Sequence, residues 1–291
     1  MPDFERRLRE GPCVLLDGGL GSMLLARGLR PGDAPDRMTL EQPETVAAVH
    51  AGYVEAGSDA IHANTFGANP IRLAHFGLAD RCRELNERAV AVARSAGPGF
   101  VIADIGPTGE YLPPVGTGER SRWEDAFGVQ AEALLAAGVD AIHLETLSDV
   151  REAETALDVV RGLDPALPVL VSLTFERKKR GFFTIMGDPL AASLNRLAEG
   201  GATAVGANCS VASGDMRDLA REAREGVAAP LVFQPNAGQP IPGETVTYAQ
   251  SPEDFAAGML AVVREGAAAV GGCCGTDPRF IRALRRLMRP E

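Results

Sequence analysis

Two cysteines stand side by side at Cys273 and Cys274, inside Gly271-Gly272-Cys273-Cys274-Gly275. Flanking glycines let the backbone turn sharply enough for adjacent thiols to reach one metal ion, with a strained vicinal disulfide as the alternative. A third thiol, Cys209, ends the apolar run Ala204-Val205-Gly206-Ala207-Asn208-Cys209, which reads as a buried strand. Three thiolates suit zinc and leave one tetrahedral position open, as in a catalytic site and unlike a closed structural one. A substrate for such a site can itself be a thiol. Cys13 and Cys82 lack this setting and read as small buried hydrophobes.

Cys209 and Cys273 are too far apart for a compact zinc finger, so a larger scaffold must bring them together. Short apolar runs supply it. Val14-Leu15-Leu16, Ala60 to Ala63, Phe100 to Ala103, Ala141 to Leu144, Val169 to Leu173, Ala204 to Ala207, Leu231 to Phe233 and Ala268 to Val270 each read as a strand buried on both faces. Helical stretches lie between them: Pro43 to Ala56, Trp123 to Ala137, Val150 to Leu163, Ala191 to Glu199 and Pro252 to Glu265. Gly57, Gly138 and Gly200-Gly201 stop three of these and lead into the next strand, as glycine C-caps do. Strand–helix alternation over residues 1–291, without a dividing linker, predicts one domain, a single (β/α)8 TIM barrel. The rival is a doubly wound sheet, but Asp17-Gly18-Gly19-Leu20-Gly21-Ser22 has Leu24 at the third glycine position of the dinucleotide fingerprint.

In a barrel, Asp17, Asn64, Thr65, Asp104, Glu145, Cys209, Asn236, Cys273 and Cys274 all fall at or just beyond C-terminal strand ends, where barrel active sites form. His62 and His143 alternate within strands and read as packed, hydrogen-bonded barrel histidines, with zinc ligation or general-base work as the alternative. Arg177-Lys178-Lys179-Arg180 reads as a solvated loop on the active-site side, able to meet an acidic partner. The stretches after Tyr111 and from Asn236 to Ser251 are long loops suited to capping the site.

Composition narrows the partners. The chain has 291 residues, 45% hydrophobic and 23% charged, ordinary for a globular protein. A formal net charge of -10 disfavours nucleic acid and anionic membrane surfaces, leaving a small molecule or another protein. Met1 to Glu10 has no apolar signal core and no apolar run approaches a membrane span, so a cytoplasmic location is expected. Five cysteines, an odd count without a secretory signal, argue for reduced thiols.

Taken together, Asp17-Gly18-Gly19, Asn64-Thr65-Phe66-Gly67, Asp104 to Glu110, Glu145-Thr146, Gly206 to Cys209, Pro235 to Gly238 and Gly271 to Thr276 resemble the homocysteine S-methyltransferase family over nearly the whole chain. The segments Asp104 to Glu110, Gln234 to Gly238 and Cys273 to Thr276 look closest to the homocysteine-binding module of cobalamin-dependent methionine synthase. The resemblance implies a zinc cofactor on Cys209, Cys273 and Cys274, and methionine formed by attack of a zinc-bound thiolate on an activated methyl group. It also implies Glu145 and Asp17 near the ammonium of homocysteine, with amides around Gly18 and the Thr65 hydroxyl near its carboxylate and Asn64 in the same substrate pocket. The residue-level alternatives are a turn aspartate for Asp17 and a helix N-terminal acid for Glu145. Asn236 either fills the fourth zinc position through its amide oxygen when substrate is absent or makes a structural hydrogen bond. For the methyl donor, the likeness favours a methylcorrinoid carried on a separate corrinoid protein. The alternatives are S-methylmethionine, betaine or another onium donor, or a different thiol acceptor.

Overall fold

The computed structural model describes residues 1–241, 243 and 246–290, so part of the loop expected over 236–251 lies outside the described residues. Eight parallel strands make the barrel wall: β1 (Val14–Leu15), β2 (Ala60–His62), β3 (Phe100–Ile105), β4 (Ala141–Leu147), β5 (Val169–Leu173), β6 (Ala204–Ala212), β7 (Leu231–Asn236) and β8 (Ala269–Val270). Their order is β1-β8-β7-β6-β5-β4-β3-β2, a nearly closed (β/α)8 barrel as the alternation predicts. The outer ring consists of α1 (Pro43–Ala56), α2 (Cys82–Ser95), α3 (Arg120–Ala136), α4 (Val150–Leu163), α5 (Leu190–Glu199), α6 (Ser213–Gly226), α7 (Pro252–Arg264) and α8 (Pro278–Met288).

Five of these helices follow the runs and glycine stops read from sequence, whereas α2, α6 and α8 do not stand out there. On α6 and α8 charged residues outnumber a narrow apolar stripe, such as Met216, Leu219, Ala220 and Ala223 on α6, which is buried against the wall.

Side-chain alternation along the strands divides the barrel interior into two levels. Val14, Leu16, Ala60, Ile102, Ala141, Leu170, Ala204, Val232 and Ala269 point inward at the lower level, where they form one buried cluster. The N-terminal helix Asp3–Glu10 plugs that end with Phe4 and Leu8. Two residues further along the same strands, the inward positions turn polar: His62, Asp104, His143, Ser172 and Gln234. An apolar floor thus supports a polar upper level, with the chemistry confined to the strands' C-terminal ends.

The seam between β1 and β2 is closed differently from the other seven contacts. Asp59 N–H donates to the Leu15 carbonyl at 2.7 Å, and Leu15 N–H donates to the Asp59 carboxylate at 2.9 Å. Higher up, His62 N–H donates to Asp17 Oδ2 at 2.9 Å. Two aspartates therefore replace main-chain ladder bonds and satisfy buried donors that would otherwise be orphaned.

Candidate metal and substrate site

The sulfurs of Cys209, at the bend of β6, and of Cys273 and Cys274, just beyond β8, lie within 4.8 Å of one another. Cys273 Sγ and Cys274 Sγ are 4.0 Å apart, so the pair is not a vicinal disulfide. That spacing is close to the edge of a tetrahedron with zinc–sulfur bonds of ~2.3 Å. Asn236, at the end of β7, approaches Cys209, and its Oδ1 is buried without a hydrogen-bond partner. A buried acceptor without a donor is costly unless something satisfies it. The S–H groups of Cys273 and Cys274 stabilise a thiolate on Cys209, holding its thiol down to about 3 and pushing their own up. Three soft ligands, one already disposed to ionise, and an orphaned oxygen fit a thiophilic metal ion.

The backbone is strained at the same place. Among the described residues, Thr146, Cys209 and Ser210 are the non-glycine positions with left-handed backbone, at φ 60, 56 and 46. Each costs about 1–3 kcal/mol, so surrounding bonds must enforce it. Asn208 does so for Thr146, accepting from its N–H at 2.8 Å and donating Nδ2 to its hydroxyl at 2.8 Å. This clasp joins the ends of β4 and β6, fixing Glu145 relative to Cys209. Gly18 is a second enforced position, because a Cβ there would lie 2.6 Å from Thr276 Oγ1 and 2.9 Å from Tyr53 Oη.

A cavity of about 530 Å³ opens beside the thiols, lined by Gly18, Asn64, Asp104, Glu145 and all three cysteines, and runs outward past Asp36, Phe66 and Arg72. Glu145 is thus brought to the cavity wall. Burial pushes its carboxyl up, opposed by the positive potential of His62 and a hydrogen bond from Asp104. Asp104 is pushed well above the usual carboxylate range, by burial first and then by the neighbouring Glu145.

Two of the expected substrate residues carry buried hydrogen bonds of their own, and Thr65 also lines the cavity. The Thr65 hydroxyl is spent on the β3 backbone, donating to Asp104 O at 2.7 Å and accepting from Asp104 N–H at 2.9 Å. Thr65 itself is fully buried. Both carboxylate oxygens of Asp17 face His62, with Oδ1 2.6 Å from Nδ1. Of the amides around Gly18, that of Gly19 donates to Thr276 Oγ1 at 3.0 Å. Asn64 lines the cavity while its Nδ2 donates to Pro35 O at 2.9 Å and Thr39 Oγ1 at 3.0 Å, anchoring the loop that carries Asp36.

Several contributors escape sequence reasoning. The Thr146–Asn208 clasp and the buried hydrogen bonding of Tyr53 to Gly19 O and Thr276 O depend on strand ends distant in the chain. Cys13 and Cys82 lie outside the site, as expected; burial pushes the Cys82 thiol up to about 11 and the Cys13 thiol up to about 12.

Fold and site together define a barrel enzyme that gathers three thiols over a substrate cavity. The homocysteine S-methyltransferase family model matches residues 14–288, and the chain belongs to that family. It is 30% identical to methionine synthase of Mycobacterium tuberculosis over 94% of its own length, and 29% identical to methionine synthase of Mycobacterium leprae over 92%. The chain spans about a quarter of the length of these relatives. The metallated form of homocysteine methyltransferase MmuM from Escherichia coli superposes with a TM-score of 0.80 at 27% identity, covering 97% of this chain and 99% of that one.

Proposed function

We propose that this protein is a zinc-dependent homocysteine S-methyltransferase that forms methionine. The observation that carries this reading is the three-thiol cluster opening onto a cavity whose wall presents Glu145. Cys209, Cys273 and Cys274 would hold the zinc, and Asn236 Oδ1 offers an oxygen for the remaining position when substrate is absent. When bound, zinc favours the thiolate form of a coordinated thiol at neutral pH. Glu145 receives the substrate ammonium, and Asp104 holds the proton that would otherwise sit on Glu145. Asn64 borders the same pocket. Asp17 acts from beneath, through His62, and Thr65 acts by fixing the Asp104 backbone.

For the donor, likeness to methionine synthase supports a methylcorrinoid presented at the cavity mouth by a separate corrinoid protein. One observation favours a second reading, a small onium donor. The cavity of about 530 Å³ exceeds what a four-carbon amino acid fills and falls in the ~300–1,000 Å³ range of pockets for larger ligands. A corrinoid macrocycle would have to remain outside it. Methionine formation from homocysteine, assayed with methylcobalamin, S-methylmethionine, S-adenosylmethionine and betaine, tests both. Turnover with methylcobalamin alone supports the corrinoid reading, turnover with an onium donor alone the second. No methionine from any donor, with zinc in place, contradicts the reading of homocysteine as acceptor.

A further inference from the structure

Beneath Glu145 runs a buried chain of polar groups that the thiol chemistry leaves unused. Asp17 Oδ1 lies 2.6 Å from His62 Nδ1, His62 Nε2 lies 3.0 Å from His143 Nδ1, and His143 Nε2 lies 2.8 Å from Ser172 Oγ. Glu145 Oε2 is 3.8 Å from His143 Nδ1, and ring nitrogens of both histidines lie within 4.8 Å of the Glu145 carboxylate. Among the described residues, no arginine or lysine forms an ion pair with Asp17, Asp104 or Glu145. Three carboxyls therefore meet at the polar level of the nearly closed barrel with imidazoles as their immediate basic neighbours.

We infer that His62 is a buried imidazolium, held by Asp17, and that it is the positioning residue that keeps Glu145 ionised to receive the substrate's ammonium group. This rests on the assignment of Glu145 to that ammonium under the proposed function. The proton count supports it. Uncompensated charge inside a barrel is expensive, so a cluster with two carboxylates and no cation would take up a further proton, and Glu145 is a site for it. With both His62 nitrogens protonated, Nδ1–H donates to Asp17 and Nε2–H donates to His143 Nδ1. His143 is then neutral and donates Nε2–H to Ser172. Asp17 and His62 cancel, Asp104 keeps its proton, and Glu145 keeps one negative charge for the incoming ammonium.

The surroundings agree with that count. Charged and titratable groups reach His62 from β1 (Asp17), from β4 (His143 and Glu145), from β3 (Asp104, through Glu145) and from α1 (His50). Burial lowers the His62 imidazole, but Asp17, by charge and hydrogen bond, and Glu145 carry it above its ordinary value. Burial holds His143 well below, and His50 at about 4, leaving both neutral.

The chain has four histidines, so nitrogen-15 NMR of the histidine-labelled full-length protein can assign each by single substitutions. The expected spectrum at pH 8 shows His62 protonated on both nitrogens and His143 on one. An Asp17→Asn variant should return His62 to a single proton. A neutral His62 in the wild-type protein, with His143 Nδ1–H donating to it instead, overturns the inference whatever the enzyme's activity. Kinetics test the coupling to Glu145. In His62→Gln the KM for homocysteine should rise about tenfold at pH 7, as expected for loss of a charge-assisted contact, with kcat and zinc content nearly unchanged. The acidic limb of kcat/KM should move to higher pH. 4-Mercaptobutanoate, a thiol without an ammonium, should react equally well with wild type and His62→Gln. An equal loss for both thiols marks His62 as merely structural and overturns the positioning role. Failure of the wild-type protein to methylate either thiol defeats the methyltransferase reading and the role assigned to His62 in it, while the NMR still decides its charge.

Discussion

At the scale of single residues, the roles divide between atoms that meet ligands and atoms that hold those atoms in place. Cys273→Ala removes one of the three proposed soft ligands, and the purified variant should contain well under one zinc per chain by elemental analysis, against about one in the wild type. Glu145→Gln should leave the metal in place and weaken homocysteine binding by about 1.5–3 kcal/mol, the worth of a charge-assisted hydrogen bond, measurable by calorimetry. Unchanged affinity would remove Glu145 from the ammonium site. The thiol cluster was legible from sequence because adjacent cysteines between glycines have few other uses. The environment of Asp17 was not, since the same residue type suits a substrate ammonium and a neighbouring imidazole. The closure of β1 against β2 is what brings it against His62.

At the scale of elements, strand ends do the positioning. Asn208→Ala frees the Thr146 N–H and hydroxyl while Thr146 stays left-handed, so a loss of about 1–3 kcal/mol is expected in denaturant unfolding. Glu152, in the first turn of α4, accepts from Thr108 N–H at 2.7 Å and Thr108 Oγ1 at 2.6 Å, tying down the loop after β3. Burial pushes its carboxyl up to about 7, so the folded protein binds a proton that the unfolded chain releases near its ordinary value of 4.5. Stability contributed by this group is therefore present at low pH and lost as pH rises from about 4.5 to 7. Glu152→Gln, which cannot ionise, should raise the melting temperature relative to wild type at pH 8, and the advantage should disappear at pH 4. A constant difference at both pH values would contradict this. Buried strands announce themselves as continuous apolar runs, which made the wall readable. Helices such as α6, with charge outnumbering its stripe, gain their definition from the wall they cover.

At the scale of the whole molecule, the barrel separates stability from chemistry. Its lower interior, sealed by Phe4 and Leu8, is apolar, whereas titratable groups and thiols occupy the upper level and rim. Among the described residues no helix is long and apolar enough to cross a membrane. Eight strands and five of the eight outer helices were legible from alternation, but the near-closure of the barrel by Asp59 and Asp17 was not, because side chains replacing ladder bonds leave no periodic trace. The proposed function places on Cys209, Cys273 and Cys274 a zinc ion that accepts the homocysteine thiol. Zinc X-ray absorption spectroscopy of the purified protein, titrated with homocysteine, reads this coordination. The expected result is three sulfur ligands and one oxygen or nitrogen in the free protein, changing to four sulfurs at saturation. A sulfur count that stays the same as homocysteine binds would contradict the account.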